Sequence, residues 1–367
     1  WEEALQTATE WLGPIRKTDP ARLAFFTGRD QSQGLTGWWA QQFGTHNFAA
    51  HGGFCSVNMA AAGIYTMGGA FWEFGSPDWE RTKLFMIFGV AEDHDSNPIK
   101  MGLSRLKERG AKVVAVNPVR TGYNAIADEW VSITPGTDGL FVLALIHELF
   151  TAGKIDLDYL VRYTNAPWLV IDAPESEEHG LFLRDKDGTP QVIDRQTLKV
   201  TSKDKTGVKP DLKGAVTLKN GRKAVPVFMK MAEIYMDKAY APDAVAEATG
   251  ISAAQIKAIA AELARVAFDE EIVIDQPWTD FKGEAHDKMI GRPVSMHAMR
   301  GISAHSNGFQ TCRAIHLLQI LLGSIECPGG FRFKPPYPKP STAHPAPGRI
   351  TEAGKAASGP PLGYIHG

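Results

Sequence analysis

The chain has 367 residues, 44% of them hydrophobic and 22% charged, enough apolar material to bury a large core in about two or three domain-sized units. A formal net charge of −2 gives no global field for nucleic acid or for an anionic membrane surface, so any anion has to be handled locally. The three cysteines (Cys55, Cys312 and Cys327) form no CxxC pair, which excludes a zinc or iron–sulfur site within this stretch and a disulfide scaffold, and no apolar run reaches membrane-spanning length.

Taken in order, WEEALQTATEWLGPIRK reads as an amphipathic helix with Trp1, Leu5, Ala8 and Leu12 on one face, ended by Gly13-Pro14. Opening on Trp1 and not on Met, the chain reads as a piece of something longer. LAFFTG (Leu23 to Gly28) reads as a strand, followed by a polar loop and a helix around GLTGWWAQQFG, which is an α/β pattern. In HGGFCSVN (His51 to Asn58), two glycines precede Cys55, and the run VNMAAAGIYTMGG behind it reads as a buried helix capped by Ser56 or Asn58. A helix N-terminus favours the thiolate, so Cys55 is a candidate nucleophile or metal ligand; a buried structural cysteine is the other reading.

The clearest βαβ unit follows. LFMIFG (Leu84 to Gly89) is an apolar run suited to a strand covered on both faces, NPIKMGLSRLKERG is a helix stopped by Gly110, and KVVAVNP (Lys112 to Pro118) is the next strand. Gly89-Val90-Ala91-Glu92 and Asn117-Pro118-Val119-Arg120 then lie at the strands' carboxyl ends, where open α/β sheets bind ligands. The first turn lacks GxGxxG, which argues against a standard NAD site. Next, the strand EWVSI meets Pro135-Gly136-Thr137-Asp138-Gly139 and a long apolar helix. Thr137 or Asp138 serves as its N-cap, or the Asp138 carboxylate accepts paired hydrogen bonds from guanine; both readings stand.

From 175 to 225 the chain turns polar and lysine-rich, reading as one or two surface β-hairpins without chemistry. PVFMKMAEIYMDK and SAAQIKAIAAELARVAF return to helical periodicity, and EIVID (Glu271 to Asp275) reads as a buried strand. His305-Ser306-Asn307-Gly308 opens a helix whose Ile315, Leu317, Leu318 and Leu321 face the core. Arg313, in its first turns, opposes the helix dipole unless an anion is adjacent; a surface salt bridge explains it equally well. Beyond Pro335 the composition predicts an extended or disordered tail.

In this order and spacing, the WEEAL helix, GTHNFAAHGGFCS, LFMIFG…SNPIK, GAKVVAVNPVRTGYNAIADEWVSITPGTDG and HSNGFQTCRAIHLLQILLGSIECPGG resemble the large catalytic subunit of the molybdopterin oxidoreductases of the dimethyl-sulfoxide-reductase type, from Trp1 to about Lys334. The resemblance implies α/β architecture: a Rossmann-like, mostly parallel sheet with helices on both faces, part of a second α/β domain and a polar β-hairpin insertion. Residues 1–50 are then the first part of an α/β domain, and 51–315 the molybdopterin-binding domain with the insertion near 175–225. Residues 316–334 return to the first domain, and 335–367 are the tail.

The same resemblance implies that Cys55 is the protein ligand to molybdenum, and that Gly89, Asn117, Arg120 and Asp138 hold a molybdopterin guanine dinucleotide. His305, Asn307 and Gly308 then line the pterin and substrate side, with Arg313 as an active-site arginine. Where the family has Gly-x-Asn this chain has Gly89-Val90-Ala91, and where it has Asp before Pro this chain has Asn117. The implied cofactor is molybdenum bis(molybdopterin guanine dinucleotide), with a 4Fe-4S cluster outside this chain. The chain is then an inactive fragment lacking the iron–sulfur and C-terminal dinucleotide-binding domains. Ser56, and not His or Met, follows Cys55, which argues against formate and nitrate chemistry. The loop phrases look most like the catalytic subunits of sulfite-oxidising, membrane-associated complexes, close kin of thiosulfate and polysulfide reductases. The implied substrate is a small oxyanion, held by Arg313 and His305 with His51 and Arg300, and the implied partners are a membrane anchor and an iron–sulfur electron-transfer subunit. The expected location is the cytoplasm or the cytoplasmic face of the inner membrane. A thiosulfate or polysulfide reductase, a formate dehydrogenase, and a non-catalytic nucleotide-binding or interaction domain are the alternatives.

Overall fold

The computed structural model describes residues 1–27, 33–50, 57–69, 76–90, 98–120, 122–298 and 300–332. The strand Leu84–Phe88 is apolar at every position, a pattern that is stable only where both faces are covered, and all five of its residues are buried. It lies inside a four-stranded sheet in the order Val294–Ala298, Leu84–Phe88, Lys112–Val116, Glu129–Val131. Leu84 pairs with Lys112 and Phe88 with Val116 in parallel, and Val116 pairs in parallel with Val131. Parallel neighbours need a crossover, and the helix Pro98–Glu108 connects Leu84–Phe88 to Lys112–Val116, with Leu103 and Leu106 buried.

That helix stops at the predicted glycine. Gly110, at φ +75°, donates its N–H to the Lys107 carbonyl at 2.9 Å, and Ala111 donates to Leu106 at 3.0 Å. Gly102, inside the helix, lies under an indole: a Cβ there would sit 2.6 Å from the ring of Trp79, which also packs on Phe85 at 5.5 Å between centroids. The apolar helix Asp138–Thr151 buries Phe141, Leu145, Ile146 and Leu149 and packs on Ala253–Asp269 and Pro242–Thr249. Ser252 caps Ala253–Asp269 by accepting the Gln255 N–H at 3.2 Å.

By its internal contacts the chain divides into two units, one of residues up to 75 with 298–313, the other of 76–297 with 314–333. The boundaries expected from sequence were 50/51 and 315/316; the tail expected at 335–367 lies outside the described residues. In the first unit, Phe25–Thr27 pairs in parallel with Phe48–Ala50, and the helix Gln33–Phe43 connects them, its Ala40 clustered with Phe48 and Phe25. The first helix does not end at Gly13-Pro14 but spans Glu2–Thr18. Proline removes one N–H donor from the ladder; the helix continues past it, with Asp19 donating to the Ile15 carbonyl at 2.9 Å. The helix Val57–Met67 buries Met59, Ala60, Ala62 and Gly63, as its composition predicts.

The polar insertion forms the expected hairpins. Gln191–Ile193 pairs antiparallel with Val200–Ser202, and Val216–Thr217 with Lys223–Pro226. It has its own apolar cluster of Leu169, Ile193 and Ala224, because Lys223–Pro226 also pairs with Leu169–Ile171. The strand expected as buried at 271–275 is the three-residue Ile272–Ile274, whose Val273 is 50% exposed. It pairs antiparallel with Met289–Gly291 in a separate two-stranded sheet, which leaves one face to solvent.

Candidate active site

Parallel pairing puts the carboxyl ends of three strands at one edge of the central sheet. Gly89, at φ +63°, donates its N–H to the Val116 carbonyl at 3.0 Å, and Asn117 donates to the Val131 carbonyl at 3.1 Å. The buried Asn117 turns its side chain back on its own loop: Oδ1 accepts the Val119 N–H at 3.2 Å, which bends the chain after Pro118. Arg120 emerges exposed from that bend, its guanidinium 5.9 Å from the centre of the Trp130 ring. The same indole donates its Nε1–H to the Asn117 carbonyl at 2.9 Å. Trp130 pairs with Ala115 on the neighbouring strand, so one side chain holds both ends of the 117–120 turn. Reading the sequence alone makes Trp130 only a strand residue; an aromatic N–H one strand from a binding turn was the available signal.

The loop after the third strand leads to Asp138. Gly136, at φ +84°, reverses the chain, and Thr137 spends its hydroxyl on the Thr134 carbonyl at 2.7 Å, so its side chain does not cap the helix. Asp138 is the first helical residue and is buried, a carboxylate in the positive first turn of the helix. Gly89, Asn117, Arg120 and Asp138 thus belong to the loops that leave one edge of one sheet, as predicted.

The other predicted residues fall in the first unit. His305 and Asn307 are exposed and Gly308 is buried at the start of the helix Gly308–Leu321. The turn is tight: Gly308 donates to the His305 carbonyl at 2.9 Å, and a Cβ on Gly308 would lie 2.1 Å from the Ser303 carbonyl oxygen. Arg313 is exposed one turn further on, without an ion pair among the described residues. Ile315, Leu317, Leu318 and Leu321 are buried, as the periodicity requires. Asn58 lies inside its helix and does not cap it; its Nδ2 donates to the Ser303 carbonyl at 2.7 Å.

Cys55 and His51 lie outside the described residues, as does the side chain of Arg300, the first residue of the helix Arg300–Ser303. The other two cysteines sit in structural surroundings. Cys312 is buried. Cys327 accepts the Arg292 N–H at 3.3 Å, and burial pushes its thiol up to about 11, so at neutral pH it is protonated and unreactive.

The carboxyl edge of a parallel sheet in an α/β protein is where such folds bind their ligands. The model of the molybdopterin oxidoreductase family matches residues 1–346, and the chain belongs to that family. It is 48% identical to a sulfite dehydrogenase subunit of Allochromatium vinosum, over 99% of this chain and 39% of the relative. It is 27% identical to the thiosulfate reductase molybdopterin-containing subunit of Salmonella typhimurium, over 45% of this chain and 22% of the relative. It is also 24% identical to a tetrathionate reductase subunit of that organism, over 78% and 28%. Acetylene hydratase from Pelobacter acetylenicus has the same fold over 88% of this chain and 33% of its own, with a TM-score of 0.54 at 18% identity. The chain therefore spans less than half the length of these relatives.

Family membership implies a molybdenum–molybdopterin cofactor. The residues at the sheet edge fit one: an exposed guanidinium 5.9 Å from the centre of an indole suits a phosphate, and a carboxylate in a helix's first turn can accept N–H donors.

Proposed function

We propose that the protein containing this chain oxidises sulfite to sulfate at a molybdenum bis(molybdopterin guanine dinucleotide) centre. The observation that carries this reading is the 48% identity over 99% of the chain with a sulfite dehydrogenase subunit, against 24–27% with thiosulfate and tetrathionate reductase subunits. When bound, the cofactor supplies a soft metal and two-electron redox chemistry. In this proposal Arg120 binds the diphosphate, Asn117 shapes the turn that presents it, Gly89 leaves the backbone open beside it, and Asp138 accepts from guanine. Cys55 supplies a thiolate to the metal. His305 and Arg313 hold the sulfite dianion by charge-assisted hydrogen bonds, with His51 and Arg300 in support. A 4Fe-4S cluster in the full-length subunit would accept the electrons, and an iron–sulfur electron-transfer subunit and a membrane-anchor subunit would be its partners. The relatives are themselves named as subunits of larger enzymes, which supports that assembly.

The test uses the full-length protein. Sulfite with an electron acceptor should be turned over, and Cys55→Ala should abolish turnover with the melting temperature kept. Turnover of thiosulfate or tetrathionate with reduced dye, without sulfite oxidation, would move the enzyme to the reductase side of the family. Normal activity and molybdenum content in Cys55→Ala would remove the metal-ligand role.

A further inference from the structure

We propose that Asn58 is a positioning residue of the reaction centre, its carboxamide fastening the start of the helix behind Cys55 to the turn that carries His305. This rests on the reading of Cys55 as the metal ligand. Near a helix N-terminus, Asn ordinarily turns its side chain to a local backbone group. Asn58 instead reaches a segment 245 residues away: Nδ2 donates to the Ser303 carbonyl at 2.7 Å, with the His305 carbonyl at 3.5 Å.

The acceptor is suited to the task. Ser303 ends the short helix Arg300–Ser303, directly before the turn that carries His305. The turn beyond it has little freedom, because Gly308 passes the same carbonyl at a distance that admits no Cβ and donates back to His305. A second contact joins the two segments two turns along, where Tyr65 meets Phe309 edge-on with ring centroids 6.0 Å apart. The helix Val57–Met67 is thus joined to the turn 303–308 by Asn58 and to the helix that follows the turn by Tyr65, and Asn58 supplies the polar contact.

Cys55 is three residues upstream of Asn58, and three residues of chain reach at most about 11 Å. Anchoring Asn58 therefore ties the start of the helix that follows Cys55 to the turn that carries His305. Errors of about 1 Å in such an arrangement cost on the order of a hundredfold in rate, which is why a residue outside the chemistry can control it.

In the full-length protein loaded with cofactor, Asn58→Asp keeps the side-chain shape and removes the donor, and Asn58→Gln keeps a donor. Thr66→Val is the control: it lies on the same helix, and its hydroxyl has no hydrogen-bond partner among the described residues. Asn58→Asp is expected to lower kcat for sulfite about tenfold with KM within about twofold, to shift the Mo(V) EPR g values, and to speed hydrogen exchange in peptides over 300–310. Asn58→Gln should recover part of each, and Thr66→Val should change none. Wild-type kcat and EPR lines in folded Asn58→Asp overturn the proposal. If Asn58→Asp does not fold, Asn58→Ala decides by the same measurements, wild-type values again overturning it. If Cys55→Ala keeps molybdenum and turnover, the metal-ligand reading fails and the proposal with it. Faster exchange over 300–310 in Asn58→Asp would still report the tie, so the two failures are told apart.

Discussion

Trp130 donates its indole N–H to the main-chain oxygen of Asn117 at 2.9 Å, and so locks the first residue of the turn that presents Arg120. Trp130→Phe keeps a ring beneath the guanidinium and deletes the donor. The expected cost is about 1 kcal/mol in urea unfolding, the net worth of one hydrogen bond, together with a lower content of the proposed guanine dinucleotide cofactor in the purified full-length protein. Unchanged nucleotide content would separate the bond from cofactor retention.

Gly308→Ala should destabilise by about 2–3 kcal/mol, because a Cβ 2.1 Å from a backbone oxygen can be relieved only by moving main chain. Denaturant melts of the variant decide it; a midpoint equal to wild type would mean that the 303–308 turn yields easily.

His316 is buried, and desolvation lowers it from the ordinary 6.5 to about 3. The folded state thus refuses a proton that the unfolded chain accepts below pH 6.5. Stability is full above that pH and falls as pH drops toward 3. His316→Gln should flatten this slope in thermal scans between pH 7.5 and 4; an identical slope would assign the acid sensitivity to other groups.

Asp280 gives the same sign of pH dependence for a different reason: its charged form is stabilised in the fold, where that of His316 is excluded. Burial works to raise its carboxyl, but the N–H groups of Glu284 and Lys282, with His286 and Tyr163, outweigh it and hold the group down to about 2. Its folded pKa lies below the unfolded one, so its contribution is present above about pH 4 and is lost as pH falls toward 2. The contacts are direct: Tyr163 Oη at 3.2 Å and His286 Nε2 at 3.1 Å on one oxygen, the Lys282 and Glu284 N–H groups at 2.9 Å on the other. Asp280→Asn should melt earlier at pH 6, and the difference from wild type should shrink at pH 2.5.

What the sequence disclosed followed from pattern. The apolar run Leu84–Phe88, the stop at Gly110 and the next strand read directly as a parallel βαβ unit, and that alone puts Gly89, Asn117 and Arg120 at one edge. The core face of Gly308–Leu321 was equally readable from its period. Bonds between residues far apart in sequence were not. Neither Trp130 on the Asn117 carbonyl nor Asn58 on the Ser303 carbonyl leaves a periodic trace, and the acceptor in both cases is main chain, which any residue type provides. Val273 was misjudged because three β-prone residues read alike in a covered sheet and in a two-stranded ribbon.

The indole of Trp79 on Gly102 reverses a common rule of protein engineering. Alanine in place of a mid-helix glycine is a standard thermostabilising substitution, worth about 1 kcal/mol through backbone entropy. At position 102 the added methyl would meet the aromatic ring at 2.6 Å and push it off Phe85. Consensus-style libraries built on this protein should therefore leave that one helical glycine untouched.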